Sequence, residues 1–536
     1  MTADRAADPR PQMHLPGRQV TLTMAAAVAA LFLASLGQII VATALPGIVA
    51  DLGGFDSYTW VATGYVLASS IAIPISGRLG DIHGRKLVFV LGIAVFLVAS
   101  AACGVSLTMS QLAAARALQG IGGGVMMTVG FVAVADLFPP EERGKQHGLN
   151  SLVFGAAALI GPLLGAYLTE NASWRWIFFL NLPLGLPVLL LIARVYPKIE
   201  SQAERRSTDY LGMAALALAV APILLALTWA GVHYEWGSPQ IIGLLSFGTA
   251  MAVGLVLVES KAESPIMPLG IYGDRVVAAS LVMVFLAGAA FYASVVFVPL
   301  LFQAGLGVSA TGSGAYLTAM VLSMVVAMVL SGRFLSKPNP RYRFLGVAAT
   351  GLMAVGMYLI ATVDRDANVI RAVASVVVVG AGVGGVLTAV LLAVQNSVPF
   401  EHVGIATSAV QFYRQVGGML GLAVLGASVT VRFSAKMEAA VRDAARDDSY
   451  IQQLEAIRED PAVLLDRAEV AALGMPDALL NALRSALAGA VGDTMAVCAA
   501  AVALSAAAAL FLDSSPGTHT GARRPARSRR MGRRLP

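Results

Sequence analysis

A run of about 20 apolar residues is long enough to cross the hydrocarbon core of a bilayer as a helix, and this chain has fourteen such runs. They lie at about 21–46, 57–78, 87–107, 110–135, 147–169, 176–195, 210–230, 240–258, 276–301, 311–332, 344–363, 370–395, 404–431 and 490–512. No water inside a bilayer satisfies backbone groups, so such runs fold as helices, and the glycines and prolines inside them are tolerated there. Charged residues make up 13% of the 536 positions and hydrophobic ones 57%, against about 25% charged in ordinary soluble domains. That balance excludes a soluble globular chain, and it excludes disorder for the bulk of the sequence. The two cysteines, Cys103 and Cys498, both sit in apolar runs and form no disulfide framework. The expected fold class is an all-α polytopic membrane protein.

The basic residues orient the spans. With the N-terminus placed in the cytoplasm, 25 of the 37 Lys and Arg fall on the inner side. The short outer loops then hold Arg175, Arg365 and Arg371 alone, as the positive-inside tendency requires. The loop at about 432–489 holds seven more, and long loops translocate largely regardless of charge. An even helix count with both termini cytoplasmic follows. All five tryptophans, Trp60, Trp174, Trp176, Trp229 and Trp236, fall at outer boundaries, where indoles favour the interface.

Three short segments recur at a nearly constant offset. Ser-Gly-Arg-Leu at 76–79 returns as Ser-Gly-Arg-Phe at 331–334, Pro-Pro-Glu-Glu-Arg-Gly at 139–144 as Pro-Phe-Glu-His-Val-Gly at 399–404, and Leu-Pro at 45–46 as Val-Pro at 298–299. The recurrence implies two six-helix halves with a two-helix hairpin between them, an architecture that places a binding site between repeats. The expected layout is a tail at 1–20, a first half at 21–195, linkers and hairpin at 196–275, a second half at 276–512 with an outer loop at 432–489, and a basic disordered tail at 513–536.

Several stretches carry chemistry. The segment Gly-Arg-Leu-Gly-Asp-Ile-His-Gly-Arg-Lys at 77–86 has glycines that permit a tight turn, and Asp81 can pair with a cation or cap a neighbouring helix. It resembles the signature loop of the major facilitator superfamily. The helix 4 stretch 112–124, the helix 5 stretch 155–165, the junction at 174–185 and the helix 13 stretch 406–418 are similar to motifs of that family's fourteen-helix drug:proton antiporter branch. The resemblance implies the major facilitator fold and a cytoplasmic gating motif of Gly77, Asp81, Gly84, Arg85 and Lys86 that latches the halves in one state. It also implies an antiporter motif of Gly155, Gly161, Pro162 and Gly165, whose small residues allow close helix contact and a bend. The branch exports amphipathic small molecules across the plasma membrane in exchange for protons. No cofactor or metal is expected.

Two arginines fall inside spans. An Arg at mid-bilayer costs roughly 2.5–3.5 kcal/mol on insertion scales, so Arg116 and Arg414 are expected to face a cavity or a partner. Gln38, Gln119 and Gln411 sit at similar depth and either line a polar centre with them or make interhelical hydrogen bonds.

Helix 1 departs from the branch. Leu-Gly-Gln-Ile-Ile-Val-Ala-Thr-Ala-Leu-Pro at 36–46 has Gly37 where the branch carries an acid. No acidic residue falls in the middle of any span, and the histidines lie in tails, loops or span ends. A proton carrier needs a titratable group reachable from both sides. Coupling then either moves to a peripheral acid such as Asp51, Asp136 or Asp493, or is carried by the substrate, or is absent. The alternative activity is a lipid or metabolite exporter or flippase with atypical or no proton coupling. Two buried arginines without a buried acid favour anionic or neutral substrates over dications.

No phosphate-binding loop, metal pattern or nucleophile arrangement occurs, which excludes an ATP-driven pump and points away from an enzyme. A receptor that keeps the fold without transport remains open. The expected partners are a small amphipathic substrate, the bilayer and, in the branch reading, protons. Seven arginines and one aspartate in the tail at 513–536 account for the net charge of +6 and suit anionic lipid; no nucleic-acid partner is expected.

Overall fold

The computed structural model describes residues 16–53, 59–198, 208–231, 233–262, 265–306, 310–337, 340–363, 369–444, 457 and 475–512. Fourteen of its helices are long and apolar enough to cross a membrane. They are α1 Gly17–Ile39, α2 Thr59–His83, α3 Arg85–Gly104, α4 Met109–Leu137, α5 Pro140–Asn171, α6 Trp176–Val195, which is continued from a short first turn at Trp176–Phe179, and α7 Tyr210–Trp229. They continue as α8 Pro239–Glu259, α9 Arg275–Leu306, α10 Ala310–Leu335, α11 Tyr342–Ala361, α12 Val369–Ser397, α13 Val403–Ala444 and α14 Asp477–Ala509. A shorter helix, Val41–Leu52, extends α1 past Ile40. The N-terminal tail, most of the expected outer loop at 432–489 and the basic tail at 513–536 lie outside the described residues.

The packing repeats. In the first six helices, α1 packs on α4, α5 and α6, and α4 packs on α2 and α3. In the last six, α9 packs on α12, α13 and α14, and α12 packs on α10 and α11. The hairpin α7–α8 stands outside both sets, with α7 against α2 and α13. Leu216, Val220 and Leu224 of α7 cluster there with Ile73 and Phe412, covering the seam on that side.

The two sets meet through their repeated segments, crosswise. A Cβ on Gly77 of α2 would collide with the Gly404 carbonyl and Ser408 of α13, and Cβ atoms on Gly144 of α5 and Gly332 of α10 would collide with each other's carbonyls. The Ser-Gly-Arg glycine of each half therefore lies on the last glycine of the other half's Pro-x-Glu segment. Only glycine lets two helix backbones come that close. The adjoining hydrogen bonds repeat as well. The Ile405 amide donates to Asp81 at 3.0 Å, and the Lys145 amide donates to the Ser336 hydroxyl at 3.1 Å. Both crossings lie at the membrane face where α1 begins and α6 ends, since Gln19 and Thr23 donate to the Val195 carbonyl there. It is called the terminal face below.

The largest departures from the expected spans are at helix ends. α5 starts at Pro140, with proline at its first position and Glu141 and Glu142 in its first turn, both favoured at a helix N-terminus. Both ends of the expected outer loop are helical, α13 running on to Ala444 and α14 starting at Asp477. Phe433, Met437, Ile457, Leu479 and Leu483 pack together between these extensions. Asp493 is well inside α14 and pairs with Lys436 at 3.1 Å and Arg432 at 3.7 Å.

The glycine crossing gives a direct test. Ser331, buried beside Gly332, can be replaced by cysteine as a reporter. The expected outcome is slow labelling by a membrane-impermeant thiol reagent, and several-fold faster labelling once Gly144→Leu pries α5 from α10. Equal rates in the two backgrounds would refute the crossing.

Candidate functional site

Three sets of polar side chains interrupt the apolar interior. The first is the latch on the terminal face. The segment 77–86 is mostly helix, because α2 continues to His83 and α3 starts at Arg85. The expected tight turn is reduced to Gly84, whose φ of 91° is strained for any residue with a side chain. Gly77 serves the close crossing instead. Asp81, with its side chain 3% exposed, accepts from Arg85 at 2.9 Å and from the Ile405 amide, in the first turn of α13. It therefore both pairs a cation and meets the positive end of a helix from the other half. Arg85 also forms an ion pair with Asp136, bonds the Phe400 carbonyl at 3.4 Å and lies 5.0 Å from the Phe400 ring. Asp136 accepts from the Tyr196 hydroxyl at 2.7 Å. Lys86 lies half-buried beside this group and makes none of these bonds.

The latch continues along α5. Arg143 donates to the Gln395 carbonyl at 3.1 Å and to Asn396 at 2.8 Å, both on α12. One turn on, His147 Nε2 meets Gln395 Oε1 at 2.9 Å. Gln395 Nε2 donates to Thr407 and to the Phe131 carbonyl, so Oε1 is its acceptor and His147 is the donor. The sequence reading placed His147 at a span end and missed both it and Gln395. Asp81 and Asp136 were both named from the sequence, but their burial was not foreseen; the packing of α2, α3 and α4 encloses them.

The second set surrounds Arg116, which is 1% exposed. Its Nε donates to the Val61 carbonyl at 3.1 Å, and its Nη1 to the Gly37 carbonyl at 3.1 Å and to Gln119 at 2.5 Å. The Tyr65 ring lies 4.3 Å from the guanidinium, and Tyr65 donates to the Ala34 carbonyl at 3.1 Å. Gln119 donates to Ser100 at 3.0 Å. Arg116 thus ties α1, α2 and α4 of one half together and does not line the cavity described below. Gly37 supplies a carbonyl to this node, and a Cβ there would stand 2.9 Å from Phe96 Cζ. Gly161 and Gly165 flank Pro162 in α5 and pack on Leu36, Ile39, Ile40 and Thr43 of the same half. Gly155 alone of that motif reaches the other half, against Val325.

The third set lines a cavity between the halves with about 720 Å³ of empty space, counted to its open side. Most of its wall is apolar, including Met127, Phe131, Phe154, Phe291, Met324 and Met328. Asn150, Ser151, Gln411 and Arg414 are the polar residues of the wall. Arg414 Nε donates to Gln411 at 3.1 Å. The expected polar centre is therefore split, with Gln119 in the Arg116 node, Gln411 beside Arg414, and half-buried Gln38 in neither. Asn150 was missed, although an amide within the apolar run of helix 5 is a legible signal.

The peripheral acids are all engaged. Asp51, on the opposite face, accepts from the Trp174 indole at 2.9 Å and from Arg175. The hydrogen bond from Arg175, then that from Trp174, hold its carboxyl below the usual carboxylate range.

The two arginines separate experimentally. Arg116→Lys keeps the charge but loses the planar donor fork, stranding acceptors at about 1–3 kcal/mol each. It is expected to lower the thermal unfolding midpoint without changing affinity for cavity ligands, whereas Arg414→Gln is expected to do the reverse. A change of ligand affinity at unchanged stability in the Arg116 variant would refute this assignment.

The family model of the Major Facilitator Superfamily matches residues 27–422. The Bacillus subtilis (strain 168) multidrug transporter protein MdtP is 36% identical over 425 residues, covering 78% of each chain. Multidrug resistance protein 3 of the same organism is 33% identical over 487 residues, covering 90% of this chain and 93% of its own. Citrate exporter 1 of Yarrowia lipolytica is 32% identical, covering 77% of this chain and 62% of its own. Among solved structures, the human organic anion transporter MFSD10 (TETRAN) has the same fold, with a TM-score of 0.60 at 14% identity, over 92% of this chain and 100% of that one. With the family model spanning most of its helices and relatives above 30% identity along most of its length, the chain belongs to the Major Facilitator Superfamily and is a membrane transporter, not an enzyme.

Proposed function

We propose that this transporter exports amphipathic small molecules across the plasma membrane by alternating access, with the terminal face in the cytoplasm. The observation that carries the reading is an apolar cavity, wide and sparsely polar, enclosed by helices of both halves and closed off by the latch. The hydrogen bonds described between the halves fall between the terminal face and mid-depth. The deepest joins Gln415 to the Val66 carbonyl and Ser69, each at 3.1 Å, twelve residues into α13 and so about 18 Å from its start. Beyond that depth α5 turns Leu163 and Tyr167 outward, 69% and 63% exposed. The arrangement suits a state open away from the cytoplasm, with the latch as the closed gate. The multidrug names of the two Bacillus relatives support a broad amphipathic substrate range.

A second reading is supported by the Arg116 node. Carbonyls of Gly37 and Val61 hold the arginine where a helix 1 carboxylate would otherwise pair with it. No acid at that node can carry a proton, which favours export that is uncoupled or driven by the substrate's own gradient. In proteoliposomes, a panel of fluorescent amphiphiles is expected to show saturable flux. Acceleration by an imposed pH gradient supports antiport, and indifference to it supports the second reading. No saturable flux for any member of the panel would refute export.

A further inference from the structure

The cavity wall has two polar features that remain unpaired within the protein, one in each half. Asn150, on α5, is 2% exposed. Both its Oδ1 and its Nδ2 are buried with no hydrogen-bond partner in the protein, although it borders the cavity. A buried amide left in that condition is costly, and native interiors rarely keep one without a purpose. Its neighbour Ser151 is committed, donating to the His147 carbonyl at 2.8 Å. Arg414, on α13, is held through Nε by Gln411 at 3.1 Å, which leaves both Nη nitrogens available as one edge of the guanidinium. That edge fits a carboxylate in a two-point contact. Among the described residues no acid lines the cavity, and Arg414 is the charged side chain of its wall.

We infer that Asn150 and Arg414 together select monoanionic amphiphiles whose head carries, beside its carboxylate, an amide that both donates and accepts a hydrogen bond. Acylated amino acids and small acyl peptides are the corresponding chemical class. The inference rests on the export reading and adds a substrate class to it. The carboxylate pairs with Arg414, the amide satisfies both ends of Asn150, and the alkyl or aromatic body lies against Met324, Met328 and Phe291. A plain fatty acid leaves Asn150 unpaired, and a cationic amphiphile faces Arg414 with like charge. Because the two residues belong to different halves, such a ligand is gripped by both, and its binding depends on their relative position.

The test is equilibrium binding of three probes to the purified full-length chain: N-dodecanoylglycine, tetradecanoate and dodecyltrimethylammonium. The acylglycine is expected to bind about tenfold more tightly than tetradecanoate, the difference two neutral hydrogen bonds make, with the cation weakest. Asn150→Leu is expected to bring the acylglycine to the level of tetradecanoate without moving tetradecanoate itself. Arg414→Gln is expected to weaken both anions and spare the cation. Asn150→Asp, which preserves shape if the leucine variant folds poorly, is expected to weaken both anions and strengthen the cation. Equal affinity for the acylglycine and tetradecanoate in the wild type, or an equal loss for all three probes in the Asn150 variants, would overturn the proposal. If either result accompanies saturable flux of the fluorescent amphiphiles, this proposal fails and the export reading stands. If no amphiphile is transported, both fail.

Discussion

A charge inside a bilayer has to be satisfied by the protein itself, because no water reaches it there. In this transporter that constraint shapes the latch. Asp81 and Asp136 share Arg85 where the helices of the first half end, and Asp81 has acceptor capacity left for the first turn of α13. That last bond crosses between halves, so the charges are fully satisfied only when the halves meet. Close contact needs bare backbone, which Gly77 and Gly404 supply on one side and Gly144 and Gly332 on the other. The two crossings are equivalent in position and unequal in chemistry. A carboxylate meets a first-turn amide of α13 at one, and at the other the Ser336 hydroxyl accepts from the Lys145 amide, beyond the first turn of α5. The charged crossing is the stronger, since hydrogen bonds to ionised groups are roughly twice as strong as neutral ones.

Closure at the terminal face leaves the cavity bounded below by His147, Gln395 and Arg143, and bordered on its sides by methionine and phenylalanine. Asn150 sits one turn above His147 on the same helix, so a ligand that engages the amide also rests on the latch. Arg116 plays a different part. Three acceptors and an aromatic ring hold it rigidly inside the first half, making that half a body that can move as a unit. Arg414, held at one nitrogen, remains available to a ligand. Two arginines of similar depth thus differ in how many of their donors the protein itself consumes.

Much of the fold was legible because fourteen apolar runs, an even count and a repeated glycine pattern each follow from simple rules of length and periodicity. The segment at 77–86 was misread as a turn because glycine and charge commonly mark loops, whereas here Gly77 serves helix contact and the charges are paired. The shared depth of Gln38, Gln119 and Gln411 suggested one polar centre. Depth along a helix does not fix which face a side chain occupies, and Gln119 turns inward to Arg116 while Gln411 turns to the cavity. His147 was set aside for its nearness to a span end, and the burial of the Asp81–Arg85–Asp136 group was not foreseen, because the neighbouring helices that enclose them are set by tertiary packing. Only three-dimensional packing could disclose the orphaned amide of Asn150, because a lack of partners cannot be read from one strand of sequence.

The central claim is that one transporter alternates between a state latched at the terminal face and a state closed at the other. Double electron–electron resonance between spin labels measures it most directly. One label pair belongs on the terminal ends of α5 and α10, at exposed Glu142 and Lys337, and a second on their opposite ends, at Tyr167 and Thr318. On addition of a transported substrate the terminal pair is expected to gain a longer distance as the opposite pair gains a shorter one. Distances that stay fixed, or that lengthen and shorten together, while the same protein transports that substrate would contradict the account.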